Sequence, residues 1–296
     1  MIKEIKHFIL HLRLHYQFFI LSGGFLLGGL LADQMNELTF WLQFLNVHIL
    51  LFGGATAYNS YWDKDEGPIG GLKNPPKMTP WMHVVSLVMM FIGVVWAYFV
   101  GILYALIYAF SLFLFWLYST PLARWKGKPI KSLFVIGVST GTNSIIMGAL
   151  AAGGELSTAI ILGSIGAAMI LLSIYPVSQI FQGEEDSKRG DVTFYLKYGL
   201  AGIKRFFMIS FPAGLLMIFG SLYQFYAYPA IVLFATGFLS YLFLSVIVLN
   251  LKGIEEEYEK VMGLKFFASL SFVLFLIAAN TIRYEWIGQT FLIEYF

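Results

Sequence analysis

Eighteen of the 19 Lys and Arg residues in this 296-residue chain fall in alternate gaps between long apolar runs. Nine such runs lie near residues 16–32, 38–58, 81–99, 102–118, 131–152, 157–182, 203–221, 227–250 and 264–282. They match the roughly 20 residues that a helix needs to cross a bilayer. They are far longer than barrel strands of roughly 9–11 residues, and they do not alternate in polarity. With the N-terminus in the cytoplasm, Lys3, Lys6, Arg13, Lys64, Lys73, Lys77, Arg124, Lys126, Lys128, Lys131, Lys188, Arg189, Lys197, Lys204, Arg205, Lys252, Lys260 and Lys265 share one side. Only Arg283 falls on the other. Basic loops mark the cytoplasmic side, and an error in the helix count would have scrambled the pattern. The opposite loops, 33–38, 153–156 and 222–228, are short and contain no Lys or Arg.

The chain is therefore expected to be an all-α, polytopic membrane protein with nine transmembrane helices, forming one domain over residues 1–296. Only 12% of its residues are charged, against about 25% in soluble domains. It has no cysteine, which excludes disulfides, zinc thiolate sites, iron–sulfur clusters and thiol nucleophiles. The net charge of +2 carries no information about partners, and no nucleic acid is expected among them; the lipid bilayer is. The N-terminus is basic, with no small-residue cleavage site after the next apolar run, so that run reads as a retained span. The lack of a transit peptide favours a prokaryotic inner membrane.

Two polar patches interrupt the apolar pattern, both on the basic side. The first is Asn59-Ser60-Tyr61-Trp62-Asp63-Lys64-Asp65-Glu66, and the second runs from Gln179 to Gly190. Asn59 and Asp63 are four apart and share a helix face. Glu66 continues that face, and Gly67-Pro68 is a natural stop. Gln179, Gln182 and Asp186 share a face in the same way, with Glu185 three beyond Gln182. Oxygen donors without His or Cys suit a hard cation such as Mg²⁺, which takes one or two carboxylates, waters and substrate phosphate oxygens. Two such helix ends facing each other would bridge Mg²⁺ to a diphosphate. Lys73, Arg124, Lys126, Lys188 and Arg189 are the cations placed to hold the remaining phosphate oxygens.

Each element also has a plainer reading. Acidic groups at a membrane border are often solvated loop charges, and Lys or Arg in such loops mostly set topology. His7, His11 and His15 form a stripe that suits interfacial anchoring better than metal binding. Gly23-Gly24 and Gly28-Gly29 suit close helix packing. Asn143, inside a span, either faces a pocket or bonds between helices.

Taken together, the segments resemble the UbiA superfamily of intramembrane prenyltransferases over essentially the whole chain. Asn59 and Asp63 match the first two positions of its Asn-x-x-x-Asp-x-x-x-Asp motif, and Gly67 occupies the third. Tyr118, Ser119, Pro121, Arg124 and Lys126 follow its Tyr-Ser-x-Pro-x-x-Arg-x-Lys pattern closely. Gln179, Gln182, Asp186 and Gly190 follow its second acidic motif, with amides at two acidic positions that Glu184 and Glu185 would compensate. The resemblance implies a central cavity open to lipid, in which Mg²⁺ holds a polyprenyl diphosphate whose prenyl group passes to a lipophilic, often aromatic, acceptor. It places Asn59, Asp63 and Asp186 at the metal, with Glu66, Gln182 and Glu185 beside them. Arg124 and Lys126 would hold diphosphate, with Tyr118 lining the site; Asp63, Asp186 and Tyr118 are the catalytic candidates. The amide positions leave the second metal open, and a terpene cyclase of the same superfamily is the alternative enzyme. A lipid or ion transporter is the competing class, but transporter sites lie near the midplane, whereas these polar groups cluster at one border.

Overall fold

The computed structural model describes residues 2–64, 72 and 74–286. Glu66 and Lys73, and with them the Asp65 and Gly67 positions, lie outside the described residues. Among those described, nine helices are long and apolar enough to cross a membrane: α1 Ile2–Leu31, α2 Glu37–Asp63, α3 Pro80–Ala97, α4 Ile102–Ser119, α5 Pro129–Ala151, α6 Thr158–Lys188, α7 Phe194–Tyr223, α8 Ala227–Asn250 and α9 Tyr258–Arg283. The separation expected around Val100 and Gly101 is present. Gly101 has φ +152°, a backbone conformation that side chains rarely tolerate.

Local chemistry sets several helix starts. Asn36 Oδ1 accepts a hydrogen bond from the Thr39 amide (3.1 Å) at the start of α2, and Ser157 Oγ accepts one from the Ile160 amide (3.2 Å) at the start of α6. Pro80 and Pro129 occupy first-turn positions of α3 and α5, where no backbone donor is needed. On the basic side the helices outrun their apolar stretches. α2 continues to Asp63 and α6 to Lys188, so Asn59 and Asp63 of the first patch and residues 179–188 of the second are carried on helix.

Small residues allow the backbones to touch. A Cβ on Gly28 would strike the Ile145 carbonyl oxygen, and one on Gly148 would strike that of Phe25, so α1 and α5 are in main-chain contact. This is the packing role expected of Gly28. The cores between helices are filled by Phe25, Phe40, Phe52, Tyr104 and Tyr108, all essentially buried.

Three irregularities shape the basic end. α1 is broken at Arg13, which has φ 48° and ψ 47°, between Ile2–His11 and the continuation from Leu14. α6 tightens into 3₁₀ geometry over Tyr175–Gln182, beginning beside Pro176. α7 bends at Gly199 (φ 64°, ψ −174°). Local departures of this kind cost free energy and persist where the surroundings fix them.

Candidate functional site

α2 delivers the first part of the site. Asn59 and Asp63, one turn apart, are held to each other by a 2.7 Å hydrogen bond from Asn59 Nδ2 to Asp63 Oδ2. Ser119 Oγ, from the last residue of α4, donates to Asn59 Oδ1 at 3.0 Å and so fixes the amide's orientation. The other oxygen of the buried Asp63 carboxylate pairs with Lys126 Nζ. α2 then stops at Lys64, which adopts a left-handed conformation (φ 52°).

α6 delivers the second part. Its 3₁₀ turn rotates Tyr175, Gln179, Gln182 and the later Asp186 onto one cavity wall. Arg189 donates from Nη2 to Asp186 Oδ1 (2.9 Å) and from Nη1 to the backbone carbonyl of Asp63 (3.4 Å). One guanidinium therefore joins the two acidic helix ends, which are far apart in sequence. Tyr118 and Tyr175 share a 2.7 Å hydroxyl–hydroxyl hydrogen bond across α4 and α6.

Arg124 sits elsewhere than expected. It has φ 43°, and its guanidinium grips Asp191 through two parallel hydrogen bonds, Nε to Oδ1 (2.7 Å) and Nη2 to Oδ2 (2.8 Å). The hydrogen bond to Asp191 holds Arg124 above its ordinary pKa, so it stays charged. Gly127 packs against the Asp191 carboxylate with no room for a side chain, and Val192 N donates to Gly127 O at 2.9 Å. Arg124 therefore joins the loop after α4 to the loop after α6 and does not line the cavity, because its donors are engaged by the fork-like pairing.

Three further candidates are also displaced from the cavity. Lys188 pairs with Glu184 at 2.7 Å on an exposed helix face, where an ion pair contributes little. Glu185 is partly exposed and pairs with Arg189 at 3.9 Å. Asn143 Nδ2 donates to Ser111 Oγ at 2.9 Å, a buried bond between α5 and α4 that leaves it outside both cavities described below. Glu66 and Lys73 fall outside the described residues.

The remaining candidates, Asn59, Asp63, Tyr118, Lys126, Gln182, Asp186 and Arg189, line one polar cavity of about 200 Å³. Sequence reasoning missed several of its walls. Asp191 directly follows the Gly190 motif position, and Tyr175 lies one turn before Gln179, so both were within reach of a helical count. Arg13, Tyr16, Tyr258 and Lys265 come from α1 and α9, at opposite ends of the chain, and no local pattern marks them. A second cavity of about 400 Å³ lies among α1 and α5–α9, lined by groups such as Ile20, Ala167, Phe211, Leu215 and Phe272. Tyr16 and Lys265 line both cavities, which therefore adjoin at those two residues.

The donor chemistry fits a hard divalent cation. The polar cavity presents the carboxylates of Asp63 and Asp186 and the amides of Asn59 and Gln182. Gln179 is spoken for in part, since its Oε1 accepts from the Tyr195 amide at 3.3 Å. Among the described residues, no three His, Asp or Glu side chains form a ready metal cage. Two carboxylates beside neutral amide oxygens suit Mg²⁺, which uses one or two carboxylates and completes its shell with water and substrate phosphate.

Comparison with known proteins bears on the fold and the family. No curated protein sequence matches the chain closely enough to count as a relative. The structure resembles that of a UbiA homologue from Archaeoglobus fulgidus bound to dimethylallyl diphosphate (DMAPP) and Mg²⁺, with a TM-score of 0.74 and 13% identity over 93% of this chain and 99% of that one. The same homologue bound to geranyl diphosphate (GPP) and Mg²⁺ gives a TM-score of 0.73 at the same identity and coverage. A digeranylgeranylglyceryl phosphate synthase matches with a TM-score of 0.64 and 18% identity, over 94% of this chain and 99% of that one. The family model of the UbiA prenyltransferase family matches residues 20–270, and the chain belongs to that family.

Proposed function

We propose that this integral membrane protein transfers a prenyl group from a polyprenyl diphosphate to a lipophilic, aromatic acceptor, in a Mg²⁺-dependent reaction within the bilayer. The observation that carries the reading is the junction of two unlike cavities. One is small, polar and bordered by Asp63 and Asp186; the other is larger and mostly apolar. A prenyl diphosphate has those two halves. The homologue structures holding GPP or DMAPP with Mg²⁺ support the same assignment.

Mg²⁺ held by Asp63 and Asp186, with Asn59 and Gln182 as neutral oxygen donors, would neutralise the diphosphate as it departs. Lys126 and Arg189 stand behind those carboxylates and would turn to the phosphate oxygens, since both already face the cavity. Arg124 serves by holding Asp191 and the loop that carries Lys126, a positioning role. The hydrogen-bonded hydroxyls of Tyr118 and Tyr175 close the wall between α4 and α6 and keep the phenols oriented. The mostly apolar lining of the second cavity would disfavour water beside the reacting carbon, where the prenyl group would pass to an acceptor already in place. By the charge pattern of the loops, the polar cavity opens toward the cytoplasm.

The test is incubation of purified protein with radiolabelled geranyl, farnesyl or geranylgeranyl diphosphate, with Mg²⁺, alone and with a panel of lipophilic phenols. Prenylated phenol, formed only with Mg²⁺, supports transfer. A cyclic hydrocarbon or alcohol formed without acceptor would replace transfer by cyclisation. No product and no diphosphate release with any chain length would overturn both.

A further inference from the structure

The seam between the cavities holds a lysine that none of the motifs includes. Lys265 lies in α9, seven residues beyond its first residue, Tyr258, or about 10 Å along the helix at 1.5 Å per residue. It is the one charged side chain among the residues lining the apolar cavity, and it also lines the polar one. Among the described residues no carboxylate forms an ion pair with it, and its Nζ lies 6.0 Å from the centre of the Tyr16 ring. Lys126 and Arg189, by contrast, are already matched to Asp63 and Asp186. A lysine near a helix end commonly extends toward the membrane surface; Lys265 is instead half-buried and borders both cavities.

This inference rests on the reading of the two cavities given above. A prenyl diphosphate lying across them has its C1–O bond at the seam. We propose that Lys265 is a catalytic residue that donates a hydrogen bond to the bridging oxygen of that bond as it breaks. The bond cleaves heterolytically: both electrons leave with the oxygen into diphosphate, the ammonium keeps its proton, and C1 is left as an allylic cation in the apolar cavity. The growing negative charge on the bridging oxygen strengthens the contact in the transition state, so its effect falls on turnover more than on binding.

The experiment compares wild type, Lys265→Met, Lys265→Gln and Lys265→Arg in lipid nanodiscs. Binding and single-turnover diphosphate release are measured with whichever of geranyl, farnesyl and geranylgeranyl diphosphate wild type uses best. Release at saturating substrate should fall roughly 10²-fold in the Met and Gln variants. The dissociation constant should stay within about threefold of wild type, and Lys265→Arg should recover most of the rate. Wild-type release rates in the Met or Gln variant, a loss confined to binding, or failure of Arg to restore the rate would each overturn the role. A wild-type protein that releases no diphosphate contradicts the reading of the cavities themselves, and the inference falls with it.

Discussion

α1 and α9 meet at both ends of the molecule, and the two meetings are opposites. At the end away from the cavity they are locked together. Asn280 Nδ2 donates to Leu26 O (3.0 Å), Arg283 donates to Leu30 O, and the Tyr284 hydroxyl donates to Gly29 O (2.9 Å) and Ala32 O (3.1 Å). The Arg283 guanidinium also lies 4.7 Å from the ring centres of both Tyr226 and Tyr284. At the basic end the same helices present Arg13, Tyr16, Tyr258 and Lys265 to a shared cavity. In the first region polar side chains satisfy backbone carbonyls of a neighbouring helix. In the second they line a cavity, where Arg13 Nη2 also donates to Ser60 Oγ at 2.8 Å. The same residue types thus clasp two helices at one end and line the proposed site at the other.

The contrast predicts that substitutions at the two ends separate activity from stability. Asp63→Asn and Asp186→Asn should have the largest effect, lowering turnover roughly 10³-fold with a melting temperature close to wild type; full activity in either would remove the metal assignment. Arg189→Met should come next, at roughly 10²-fold, because one guanidinium serves both Asp186 and the Asp63 carbonyl. An unchanged rate would show that this bridge is idle.

At the far end Asn280→Ala should leave the rate per folded molecule unaltered and cost about 1 kcal/mol of stability, the scale of interhelical hydrogen bonds in membranes, read from thermal unfolding in nanodiscs. Loss of activity without loss of stability there would erase the distinction between the ends. The smallest effect concerns pH. Burial pushes the Tyr284 hydroxyl up to about 12 from an ordinary value of about 10. Between those values the folded state binds more protons than the unfolded one, so stability should fall as pH rises through that window and stay flat below it. Tyr284→Phe should remove that slope, and an identical slope in the variant would assign it to another group.

Much of this division was legible in the sequence. The nine spans were readable because apolar length and loop charge are both enforced by the bilayer, and they agree. Asn59, Asp63 and Asp186 were readable because helical spacing places them. Lys188 and Arg189 show where that legibility ends: neighbours on a helix point about 100° apart, so one faces solvent and the other the cavity, and no composition rule selects between them. Arg124 was misplaced because its partner, Asp191, arrives from a different loop. Arg283, visible in the sequence only as the exception to the charge pattern, turned out to be a helix clasp. Lys265 and Arg13 meet the site through tertiary packing between the first and last helices, which local spacing does not encode.

The most direct test of the central claim is diphosphate release by the purified protein in nanodiscs, measured with and without Mg²⁺ for wild type, Asp63→Asn and Asp186→Asn. We predict Mg²⁺-dependent release in wild type and its loss in both variants, with all three proteins folded. Release that ignores Mg²⁺, or that survives in either variant, would contradict the assignment of the polar cavity as the site of prenyl diphosphate ionisation.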